Sequence, residues 1–136
     1  MTAQAWLSAL VFGLALPLTF ALAADTDLPR VASFEDIRYP LAARLQHVQG
    51  VVVVKVEVDE NGIVTSASAL SGPRELVAEC LANAKKWRFS PKMPGSLPIV
   101  YDFRIDGLCN HPCASHFVIH PPNLAVITIG EAVMDH

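Results

Sequence analysis

Between Gly50 and Asp59 the chain reads Val-Val-Val-Val-Lys-Val-Glu-Val, and this run constrains the fold more than any other stretch. Side chains alternate across an extended chain, so Val52, Val54, Val56 and Val58 form one apolar face while Lys55 and Glu57 lie on the other. Asp59-Glu60-Asn61-Gly62 follows, and Asn-Gly is a strong hairpin signal because both residues tolerate positive φ. Ile63 to Leu70 then returns as a second strand. The chain must bury one side of this hairpin against something.

The next segment supplies the cover. Ser71-Gly72-Pro73 starts a helix with proline at its first position, and Leu76, Val77, Cys80, Leu81, Ala84 and Trp87 recur at helical spacing. Glu75 and Glu79 near its start, and Lys85, Lys86 and Arg88 near its end, suit the helix dipole; Ser90-Pro91 stops it. Ile99 to Asp106 alternates again, with Ile99, Tyr101, Phe103 and Ile105 on one face and Asp102, Arg104 and Asp106 on the other, the pattern of a half-buried antiparallel strand. Upstream, Tyr39-Pro40 opens a short helix over Leu41 to Gln46, ended by Gly50. The pattern predicts an α+β domain, with a three-stranded antiparallel sheet packed by two helices. Leu124 to Ile129 is a candidate fourth strand.

Length and composition bound the rest. At 136 residues there is room for one domain, and 52% hydrophobic residues exclude a disordered chain. A net charge of −3 argues against binding a nucleic-acid backbone. The first charged side chain is Asp25; from Ala5 to Ala24 only Ser8, Gly13, Pro17 and Thr19 interrupt an apolar run that ends in Ala21-Leu22-Ala23. This is the outline of a secretory signal peptide over residues 1–23, although Met1 to Gln4 carry no Lys or Arg; an uncleaved anchor is the alternative, and would bring membrane contact. Residues 24–38 read as a short extended arm, 39–106 as the domain, and 107–136 as a Cys/His-containing extension. The chain is expected to be exported, to a compartment where thiols oxidise.

Four marks in order give the domain a family likeness: Tyr39-Pro40 with Ala43, Gly50 before the valine strand, Val58 to Val64 around the hairpin, and Trp87-Arg88-Phe89-Ser90-Pro91. With Tyr101-Asp102-Phe103 as a last core strand, the block from Tyr39 to Ile105 resembles the C-terminal domain of TonB-family energy transducers. The resemblance implies a non-enzymatic periplasmic domain that binds the TonB box of an outer-membrane receptor by β-strand addition and is associated with transmembrane transport. It implies a receptor-facing region made of Tyr39, Pro40 and Arg44 with Ile99, Tyr101 and Phe103 on a sheet edge. Arg44 stands where the best-known members carry glutamine. The arm also departs from a transducer's long spacer, since its fifteen residues, 24–38, reach only about 50 Å fully extended.

Other candidate sites have plainer readings beside them. Cys109, His111, Cys113, His116 and His120 cluster within twelve residues, a composition zinc accepts but without finger spacing. In an exported chain a Cys109–Cys113 disulfide is the simpler expectation, with free thiols a further alternative. Cys80 sits on the helix stripe as a core residue. No catalytic motif is present and no cofactor is expected. Three functions stay open: a module binding a TonB-dependent receptor or another envelope protein, a structural component that binds peptidoglycan or pairs with itself as a homodimer through the same edge, and a metal-binding periplasmic protein.

Overall fold

The computed structural model describes Gly13, residues 29–90 and residues 93–133. The expected leader, Gly13 apart, and the start of the arm lie outside the described residues. No helix among the described residues is long and apolar enough to cross a membrane. The elements are β1 (Arg30–Ser33), α1 (Leu41–Leu45), β2 (Gly50–Val58), β3 (Val64–Ser71), α2 (Arg74–Ala84), β4 (Arg88–Ser90), β5 (Gly95–Cys109), β6 (His116–His120) and β7 (Leu124–Ala132).

The valine run is β2, with Val52, Val54 and Val56 fully buried beneath the helices. Its turn is longer than a two-residue Asn-Gly hairpin. The Asp59 carboxylate accepts from the Asn61 and Ile63 backbone N–H groups at 2.8 and 3.0 Å, and the Asp59 N–H donates to the Ile63 carbonyl at 2.9 Å. Ile63 therefore leaves the returning strand and bridges to Arg88. Gly62 has φ +76, and a Cβ there would lie 2.2 Å from the Phe89 carbonyl oxygen, so glycine is required twice over.

Both helices begin just after a proline rather than on it: the Pro40 carbonyl accepts from Arg44 N–H at 2.9 Å and the Pro73 carbonyl from Leu76 N–H at 3.0 Å. On α2 the expected stripe is buried at Leu76, Cys80 and Ala84. The helix ends at Ala84, earlier than its stripe suggested, so Lys86 and Arg88 lie beyond its last turn. Lys86 instead forms an ion pair with Glu35 at 3.0 Å. Trp87 turns back into the core, and Arg88–Ser90 pairs with β1 as a two-stranded ribbon that the sequence did not reveal.

The three-stranded expectation is corrected. The main sheet has five strands in the order β3-β2-β5-β7-β6. β2 pairs antiparallel with β3 and β5, as expected, but β7 pairs with β5 in parallel and β6 closes antiparallel on β7. The extension contributes two strands, and β7 enters between β5 and β6. Ala125, Ile127 and Ile129 are buried on the same side as Ile99, Tyr101 and Phe103, so the extension prolongs the one core.

Candidate functional site

The residues expected to face a partner lie on β5, just before α1 and, for Arg44, on α1 itself, and most of them are buried. Ile99, Tyr101 and Phe103 point under the helices and are buried. The Tyr101 hydroxyl donates to Asn83 Oδ1 at 2.9 Å, the same oxygen that accepts from Trp87 Nε1 at 2.8 Å. Asn83 Nδ2 in turn donates to the Glu35 carbonyl at 2.8 Å, so one buried amide serves three partners. Burial holds the Tyr101 phenol far above the ordinary tyrosine range. Nothing in the helical pattern marks Asn83 except its position four residues before Trp87, on the stripe side.

Tyr39 is buried as well. Its ring meets Phe103 edge-on at 5.3 Å, its hydroxyl donates to the Val48 carbonyl, and its backbone N–H donates to Ser115 Oγ at 3.1 Å. Burial raises its pKa too. Pro40 and Arg44 are half-buried beside it. Tyr39 thus joins the domain to the extension, a contact that sequence spacing could not announce.

The edge near Ile99 to Ile105, expected to be open, is occupied. β5 has β2 on one side, with Gly50 to Val58 opposite Phe103 to Gly95, and β7 on the other, with Val100 to Ile105 opposite Leu124 to Ile129. Asn123 locks the entry to β7: its carbonyl accepts from Val100 N–H at 3.0 Å and its Nδ2 donates to the Pro98 carbonyl. At the far end Val133 N–H donates to the Cys109 carbonyl at 3.1 Å. Parallel strands compete for an edge as effectively as antiparallel ones, because each consumes the backbone groups along it.

The cysteine–histidine cluster resolves into a connection. Cys109 and Cys113 form a disulfide that closes the loop leaving β5. His111 is exposed within that loop, and His116 and His120 are exposed at the two ends of β6. Among the described residues no group of three or more His, Cys, Asp or Glu side chains could hold a metal ion. Cys80 is buried without a disulfide partner, and burial, with the Glu79 carboxylate adding to it, pushes its thiol up to about 12. Such a thiol packs and does not attack.

Residues 35–106 match the protein family described as Gram-negative bacterial TonB protein C-terminal. The chain belongs to this family. No curated protein matches it. Membership makes this a TonB-type domain, from a non-enzymatic protein-interaction family of the Gram-negative envelope linked to TonB-dependent transport. The matched part runs from just before α1 to the middle of β5; β6 and β7 lie wholly beyond it.

Proposed function

We propose that this TonB-type domain works in the periplasm as a protein-binding module that takes an extended peptide of an outer-membrane receptor by β-strand addition on β5. Tyr39, with Pro40 and Arg44 next to it at the start of α1, is the second part of the proposed surface, while Ile99, Tyr101 and Phe103 anchor β5 from beneath. The observation that carries the reading is the strand-bearing capacity of β5 on the side away from β2. There Val100 to Ile105 carry a strand at six consecutive positions, β7 in this structure, over an underside in which Tyr101 and Phe103 are buried. A rigid edge of this kind recognises mostly backbone, so it accepts varied sequences at modest cost in ordering. The domain performs no chemistry in this role.

The test is an NMR titration of the isotope-labelled, oxidised chain with receptor TonB-box peptides. Saturable shifts along Ile99 to Ile105 and around Tyr39 to Arg44 are the expected result. Absence of shifts at millimolar peptide overturns the reading. Sedimentation on the same samples separates peptide binding from self-pairing through the edge.

A further inference from the structure

We infer that the segment 107–133 is an intramolecular ligand of this domain: β7 fills the recognition edge of β5, and a partner peptide binds by replacing β7 as a strand running parallel to β5. The inference rests on the strand-addition reading above and adds to it the regulation of the edge and the character of the peptide it takes.

Three observations carry it. First, the family match ends at residue 106, yet the chain beyond it turns back and pairs with Val100 to Ile105, six consecutive positions of the stretch assigned to the partner. Second, the hydrogen bonding that organises the domain does not depend on the hairpin. β5 keeps nine paired positions with β2, and the Asn83 amide is satisfied by Glu35, Trp87 and Tyr101, none of which belongs to the extension. The hairpin can therefore leave as a unit while β3, β2 and β5 stay paired and α2 stays packed on β2 and β3.

Third, beyond its ladder with β5 the hairpin is held to the rest of the domain at a few discrete points. The Tyr39 N–H holds Ser115 Oγ, the Val31 N–H donates to the Pro122 carbonyl at 3.3 Å, and Phe34 packs on Phe117 at 5.4 Å. The disulfide shortens the connection from β5. Undocking takes Ala125, Ile127 and Ile129 out of the core, and an incoming peptide must fill the place they leave. Its chemistry follows: an extended segment, entering beside Val100 and leaving beside Ile105, with small or β-branched residues at alternate positions. A domain whose competent form is a minor population binds its ligand more weakly by that fraction, so loosening β7 raises apparent affinity in proportion.

The experiment uses the full chain and a fluorescent peptide with the sequence Asn123 to Val133. Three kinds of protein are compared: the wild type, a loosened pair (Ile129→Ala and, separately, Gly130→Ala), and a locked Arg104→Cys/Thr128→Cys chain. Arg104 and Thr128 are opposite one another on β5 and β7, so their cysteines can bridge the two strands. Near-ultraviolet circular dichroism, to which the buried Trp87 and Tyr101 contribute, verifies that each variant is folded. The expected result is binding about tenfold or more tighter in a loosened chain than in the wild type, none in the locked chain, and loss of amide protection in β7 on binding. Equal binding by all of them with β7 still protected overturns self-occupation and leaves strand addition standing at another edge. A folded loosened chain whose β5 amides exchange freely but which takes up no peptide overturns both.

Discussion

Gly130 lies directly against Cys109: a Cβ added to it would fall 2.9 Å from both the Cβ and the Sγ of that residue. Cys109 is bonded to Cys113, so its sulfur has little freedom to move aside. The end of β7 can lie beside β5 only because position 130 has no side chain. Gly130→Ala is expected to destabilise the chain by about 1–3 kcal/mol through overpacking. Urea unfolding measures the loss, and hydrogen exchange places it in β7 before β2. A change within 0.5 kcal/mol would contradict the contact.

The Asn83 amide gives the sharpest stability prediction. Asn83→Ala leaves the Trp87 indole N–H and the Tyr101 hydroxyl buried without an acceptor. About 1–3 kcal/mol is expected for each orphaned group, less what the two recover by relaxing. Tyr101→Phe, which keeps the Trp87 bond, is expected to cost only about 1 kcal/mol. Equal losses for the two variants in chemical denaturation would show that the network does not act as described.

Cys80 supplies a pH prediction. Burial, and after it the Glu79 carboxylate, pushes its thiol up to about 12 in the folded chain, against 9.0 when solvated. Below 9 both states hold the proton and nothing is lost. As the pH rises through the window from 9 toward 12 the unfolded chain releases it first, so this thiol lowers stability there. Iodoacetamide at pH 8 is expected to leave Cys80 untouched in the native chain and to modify it fully in guanidinium. Rapid native alkylation would place the thiol at the surface.

Reducing the Cys109–Cys113 bond opens a tight loop. By loop-closure entropy it is expected to cost about 2 kcal/mol. The consequence predicted here is local: amides of β6 and β7 exchange faster in a Cys109→Ser/Cys113→Ser chain, while those of β2 and β3 do not change. Uniform acceleration across the sheet would show that the bond stabilises the whole domain instead.

Much of the fold was legible because it is written in short-range periodicity. Val52 to Val58 alternate, Leu76 to Ala84 recur at helical spacing, and Ile99 to Phe103 alternate again; all three became the elements they suggested. The family marks located the domain for the same reason. What could not be read was pairing. Leu124 to Ile129 looks like a strand locally, but whether it lies at a far edge or beside β5 depends on contacts more than twenty residues away in sequence. The three-residue strand Arg88–Ser90 has too little pattern to separate from a helix end. The residues expected to face a partner were drawn from β5 and the start of α1, where Tyr39, Ile99, Tyr101 and Phe103 turned out to be buried, and the strand that occupies the edge of β5 was invisible.

The most direct test of the account is hydrogen exchange on the oxidised wild-type chain, with and without saturating TonB-box peptide. The account predicts that peptide strips protection from Leu124 to Ala132 while Val52 to Val58 and Val100 to Ile105 stay protected. Peptide bound with β7 fully protected would contradict it.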